Sequence, residues 1–252
     1  MKRSLIFAYG VLSYAVFFAT FLYAIGFIGN IGVPKSIDSA PSLPLMTSLL
    51  IDIGLLSLFA VQHSGMARPA FKRWLTRFIP KEAERSTYVL LSSACLALLF
   101  WLWAPLGGEI WNVASLWGQV TLLGLYFASW GLLLYATFLI NHFDLFGLRQ
   151  SYYALLGREM PALQFVTPAL YRIVRHPIYA GWLGIMWFTP SMTGTHLVFA
   201  VISTLYIFAG IHFEEHDLET AHPEYAQYKR KVPALLPSFT RRLSRTSDMQ
   251  SA

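Results

Sequence analysis

Four apolar runs constrain this chain more than any other feature: Leu5 to about Ile31, Leu43 to Gln62, Thr87 to Leu106 and Leu116 to Ile140. Each is long enough to cross roughly 30 Å of hydrocarbon at about 1.5 Å per helical residue. A soluble domain could not hide them. Of 252 residues, 56% are hydrophobic and 13% charged, the latter about half the soluble average. The chain reads as an all-α, polytopic integral membrane helix bundle. Its first run follows Met1-Lys2-Arg3, exceeds a signal-peptide core and lacks a small-x-small cleavage site, so it reads as an uncleaved first helix.

Beyond Arg175 the pattern changes. Ile178 to Thr189 is apolar but too short to span alone, and Pro190 and a polar turn, Ser191 to Thr195, follow it. His196 to Phe213 is apolar again. The pair is expected to form a helical hairpin whose first arm either crosses or only dips into the membrane. One membrane domain over 1–252 results: four transmembrane helices in 5–140, a cytosolic loop at 141–177, the hairpin at 178–213, a cytosolic tail at 214–239 and a flexible end at 240–252. Helix-like stretches, Arg68–Phe78 and Leu155–Val174, are expected on the membrane surface.

The charges fit this layout. Lys2, Arg3, Arg68, Lys72, Arg73, Arg77, Lys81, Arg85, Arg149, Arg158, Arg172, Arg175, Lys229, Arg230, Lys231, Arg241, Arg242 and Arg245 all fall on one side, leaving only Lys35 opposite. The positive-inside rule then makes both termini cytosolic, as in a bacterial inner membrane. The net charge of +6 reflects this topology rather than nucleic-acid binding, because the charges sit in the gaps between the apolar runs. The single cysteine, Cys95, excludes an internal disulfide.

Polar side chains in membrane helices are costly and are candidates for function. Asp52 lies mid-helix and is given no catalytic role. His63, Asn141, His142, Asp144, His176, His212, Glu214, Glu215 and His216 gather at the cytosolic edge; the plain alternative is that helix ends are polar in any case. One cluster goes further. Tyr171 to Gly181 ends in an aromatic residue and a glycine, Phe213 to Leu218 carries two glutamates, and Tyr225 and Tyr228 precede Lys229. The hairpin would return Glu214 and Glu215 to His176. Carboxylates, aromatic rings and a histidine suit a ligand bearing an ammonium, a sulfonium and an adenine. Gly181 would admit either a ligand or a neighbouring helix.

RHPIYAG, the Glu214–Glu215 pair and EYAQYKRKVPALLPSF resemble the C-terminal signature of the isoprenylcysteine carboxyl methyltransferase and phospholipid N-methyltransferase superfamily, over about 170–239. QHSGMARPAFKRWLTRFIPKEAERSTYVL and TFLINHFDLFGLRQ resemble the membrane-bound methanethiol S-methyltransferases, which extends the likeness to most of the chain. The resemblance implies S-adenosylmethionine as methyl donor, a small thiol as acceptor, the lipid bilayer as surroundings and dimethyl sulfide as product. It implies that Arg175, His176, Pro177, Tyr179 and Gly181 line the donor site, that Glu214 and Glu215 hold its polar end, and that Tyr225 and Tyr228 lie nearby. Phe208 to Phe213 lacks the arginine that the isoprenylcysteine branch carries before its glutamates, which disfavours a carboxylate acceptor.

Burial raises a thiol's pKa, so a base or fixed cation is needed beside the sulfur. His142 is the first choice for the base, with Asp144 orienting or replacing it, His63 as an alternative and Arg149 stabilising the thiolate. His63, His142 and Asp144 could meet in space, but no two of them have the i,i+4 spacing of a helical zinc site, so no metal is expected. The rival readings are a methyltransferase for a prenylcysteine, a phospholipid amine or another lipid; a transporter or accessory membrane protein; and a reductase, for which no nicotinamide signal is present.

Overall fold

The computed structural model describes residues 2–161 and 166–237. In chain order its helices are α1 (Lys2–Gly29), α2 (Leu45–Ala67), α3 (Pro69–Leu75), α4 (Glu84–Leu102), α5 (Leu116–Leu139), α6 (His142–Leu145), α7 (Leu148–Leu156), α8 (Pro177–Trp187), α9 (Gly194–Ala221) and α10 (Tyr225–Lys231). Two short strands, β1 (Glu109–Asn112) and β2 (Ser191–Thr193), complete it. Among the described residues α1, α2, α4 with its leading turn, α5 and α9 are long and apolar enough to cross a membrane. Leu5, Leu45, Leu50, Val61, Trp117 and Leu205 stand exposed on their outer faces, as lipid-facing residues do. The protein is an all-α integral membrane bundle.

The four apolar runs of the sequence become α1, α2, α4 and α5. Phe27, Leu99, Phe100, Trp103, Ile185 and Phe199 build the core between them. Asp52 is fully buried, and its Oδ1 accepts from Ala104 N at 2.9 Å. It thereby satisfies a backbone donor where the chain leaves α4. The surface stretch Arg68–Phe78 contains α3; within Leu155–Val174, residues 162–165 lie outside those described.

The two ends of the bundle differ. At one end Tyr9 Oη donates to Thr87 Oγ1 at 3.0 Å, Arg85 Nε to Leu145 O at 2.7 Å, and Arg68 pairs with Asp217. At the other, Trp103 Nε1 donates to Ile37 O at 3.2 Å and Leu106 N to Thr195 Oγ1 at 2.6 Å. Every described lysine and arginine except Lys35 belongs to the first end; Arg241, Arg242 and Arg245 lie outside the described residues.

The hairpin reaches that far end. Pro177 starts α8 at the helical position where its missing N–H is harmless. Eleven residues of helix rise only about 16 Å. The chain then continues extended: Val113 N donates to Pro190 O at 2.9 Å, and β2 pairs antiparallel with β1, Trp111 opposite Met192. Thr193 bonds Asp38 in the loop after α1. The short arm is thus a helix completed by a strand, whose backbone groups are satisfied by the ladder. The helix itself packs on α5 with no room to spare. A Cβ at Gly181 would stand 2.9 Å from Leu133 Cβ, and one at Gly184 2.2 Å from Ser129 Oγ. α9 then runs unbroken to Ala221, two turns beyond its apolar stretch, and carries Glu214 and Glu215 on helix.

Candidate active site

Backbone pairing fixes the turn that precedes α8. Arg175 N donates to Pro233 O at 2.9 Å and His176 N to Ala234 O at 3.0 Å, so the chain after α10 lies against this turn. Glu214 and Glu215 are successive residues of α9 and therefore point about 100° apart. Glu215 is buried. Its Oε1 accepts from Arg175 Nε at 2.8 Å and from His176 Nε2 at 2.9 Å, and lies 2.7 Å from Arg175 Nη2. Its Oε2 lies 3.1 Å from Lys229 Nζ. Arg175 Nη1 donates to Lys229 O at 3.1 Å and to Val232 O. The guanidinium is consumed in tying α9 to α10. The sequence motif and the glutamate pair therefore meet as expected, but Glu215 serves the frame.

Glu214 faces the other way and is half-exposed. Its Oε2 accepts from Tyr179 Oη at 2.8 Å and lies 3.9 Å from His176 Nδ1. Beside it opens a cavity of about 530 Å³, within the range of small-molecule sites. Arg175, His176, Glu214, Tyr171, Tyr225 and Tyr228 line it, together with Leu139, Ile140, Asn141 and Arg149. The rings of Tyr225 and Tyr228 meet edge to face, 5.6 Å between centroids. Burial pushes the phenol of Tyr228 up to about 12, and those of Tyr171 and Tyr225 rise as well. All three rings are neutral at physiological pH and present π faces. A carboxylate among neutral aromatic rings attracts a compact organic cation.

Of the residues expected at the donor site, Arg175, His176, Glu214, Tyr225 and Tyr228 line the cavity. Pro177, Tyr179, Gly181 and Glu215 stand behind it and hold it in shape. Gly181 serves contact with α5. Of the four residues expected to act on the acceptor, only Arg149 reaches the cavity; Asp144 pairs with it at 3.5 Å. His142 is buried against α1, its ring stacked 4.2 Å from Phe138. Its Nδ1 lies 2.8 Å from Thr137 Oγ1, whose proton goes to Leu134 O, so Nδ1 is the donor. Its Nε2 then accepts from Tyr14 Oη at 2.8 Å. Burial lowers the pKa of this satisfied imidazole. His63 likewise faces Tyr88 Oη at 3.0 Å and stacks on Phe59. Tyr171 and Asn141 also line the cavity; the sequence reading named both among its candidate segments but gave neither a role. Both were open to notice: Tyr171 begins the RHP segment, and Asn141 breaks the end of an apolar run.

No family model matches the chain, and no solved structure matches it. Curated relatives do. The methanethiol S-methyltransferase of Crocosphaera subtropica is 53% identical over 94% of this chain and 93% of its own length. That of Mycobacterium tuberculosis is 48% identical over 94% and 98%, and methanethiol S-methyltransferase 2 of Bradyrhizobium diazoefficiens 47% over 99% and 96%. The chain belongs to the methanethiol S-methyltransferase family.

Family membership and geometry agree on the class of chemistry. A methyltransferase needs a methyl donor, and the cavity offers a carboxylate and three neutral phenol rings to hold one. In this family member the cavity is lined from α9, α10 and the segment before α8, and from the end of α5 and from α7.

Proposed function

We propose that this chain transfers the methyl group of S-adenosylmethionine to the sulfur of methanethiol, giving dimethyl sulfide, S-adenosylhomocysteine and a proton. The observation that carries this reading is the 47–53% identity, over more than nine-tenths of both lengths, to proteins named methanethiol S-methyltransferase. The charge asymmetry supports placing the site at the cytosolic face of a bacterial inner membrane, with both ends of the chain on that side.

The donor's fit rests on the cavity's chemistry. Glu214 keeps Oε1 for a cationic group, and the faces of Tyr171, Tyr225 and Tyr228 suit a sulfonium and a flat base. Bound there, the donor supplies an electrophilic methyl group. His176, fixed by Glu215 through Nε2, packs beside the ring of Tyr179, whose hydroxyl donates to Glu214 Oε2 and sets its position. Arg149, held by Asp144, provides a fixed positive charge that favours the thiolate over the thiol. The thiol proton leaves through the open end of the cavity. Cation and thiolate neutralise one another as the new C–S bond forms, so the rings that exclude water also favour transfer.

Headspace gas chromatography of the purified protein with methanethiol and S-adenosylmethionine tests this directly. Dimethyl sulfide is the expected product. Label from methyl-labelled donor appearing only in extracted lipid would replace this reading with a lipid methyltransferase.

A further inference from the structure

Asn141 occupies an unusual position for its residue type. It ends α5 and precedes α6 with φ 84° and ψ 73°, a left-handed conformation. Asparagine is favoured before a helix because its side chain caps the first turn. Here that bond is not made. The backbone carbonyl of Asn141 accepts from Asp144 N at 3.0 Å and Leu145 N at 3.1 Å instead. The left-handed backbone alone would be served better by glycine. Asn141 lines the cavity and its carboxamide makes no hydrogen bond among the described residues, while the next residue, His142, is turned into the core.

Its surroundings are those of the acceptor rather than the donor. Leu139 and Ile140, which precede Asn141 in the chain, and Arg149 line the same cavity. Arg175 is spent on Glu215 and two carbonyls, which leaves Arg149, held by Asp144, as the cation on this side of the cavity. An uncharged N–H beside apolar side chains suits a sulfur that begins as a thiolate and ends as a thioether. It adds a direction to the positive charge that Arg149 supplies.

Resting on the reading of the site as a thiol methyltransferase, we propose that the Asn141 carboxamide donates a hydrogen bond to the sulfur of the bound acceptor and aims it at the methyl group. The backbone conformation supplies the test, because Asn141→Gly keeps or relaxes the turn while removing only the carboxamide. In detergent-solubilised full-length protein, kcat/KM for methanethiol is expected to fall about 10- to 100-fold, as for loss of a hydrogen bond to a charged group. Affinity for S-adenosylmethionine, by calorimetry, should stay within about twofold, and Tm should not fall. Asn141→Asp tolerates the same backbone but lacks the donor and adds negative charge, so it should be impaired at least as much. Wild-type turnover in Asn141→Gly would reduce Asn141 to a turn residue and overturn the proposal. Equal loss of donor affinity would assign the carboxamide to the donor and overturn it too. If Asn141→Gly proves unstable, Asn141→Asp alone decides: full activity sinks the idea. Absence of dimethyl sulfide from the unaltered protein is a separate outcome that rejects the thiol reading itself.

Discussion

Arg175 and Glu215 meet through two nitrogens on one carboxylate oxygen, Nε at 2.8 Å and Nη2 at 2.7 Å. Lys229 holds the other oxygen, and the preceding residue on the helix, Glu214, is left to face the cavity. Neighbouring carboxylates thus have separable roles. Glu215→Gln leaves buried cations short of a counter-charge and is expected to lower stability by about 3–5 kcal/mol. Thermal unfolding in detergent should show this.

Glu214→Gln should do the reverse. It removes the charge that faces the ligand but no partner of Arg175. Tm is expected to change little, whereas the dissociation constant for S-adenosylmethionine, by titration calorimetry, should rise about tenfold or more. A variant that binds the donor normally would remove Glu214 from that role.

Arg149 makes no ion pair with Glu214, Glu215 or Glu219 of α9, and its salt bridge is with Asp144. Arg149→Gln is therefore expected to lower kcat about tenfold or more with donor affinity nearly unchanged. Shifting the assay to higher pH, where more methanethiol is already thiolate, should recover part of the loss. No recovery would argue against a role in favouring the thiolate.

His142 gives a pH signature in stability. Burial holds its pKa below the ordinary imidazole value of about 6.5. A depressed pKa in the folded state means that protonation favours the unfolded chain. The contribution is present in full above about 6.5 and is lost as pH falls through the lower folded value. The fall in Tm between pH 7 and pH 5 should be smaller in His142→Gln than in the unaltered protein. If the two curves are parallel, the imidazole is not the titrating group.

Close packing between α5 and α8 can be tested by compensation. Gly184→Ala puts a methyl group 2.2 Å from Ser129 Oγ and should cost about 1–3 kcal/mol. Adding Ser129→Gly removes the obstructing atoms and should restore part of the loss in a double-mutant cycle.

Much of this was legible in the sequence. Length and polarity alone mark α1, α2, α4 and α5, because a bilayer admits few alternatives to an apolar helix of that length. The meeting of His176 with the glutamates was legible too, since a short apolar arm and its return must bring their ends together. The direction of single side chains was not. A histidine at a helix end reads as wet, yet the left-handed backbone at Asn141 rotates His142 into contact with Tyr14 and Thr137. Nor does any pattern reveal that Glu215 is spent on Arg175 while its neighbour remains available. Those outcomes depend on segments far apart in the chain.

The ladder between β1 and β2 has a consequence for the catalytic end. α8 is too short to be gripped by both leaflets, so its height is not fixed by its own hydrophobic length. Its packing on α5 and the two-stranded ribbon at the far end of the bundle set that height together. Shortening the ribbon by one residue is expected to pull the RHP turn out of register with the glutamates at the other end of α8.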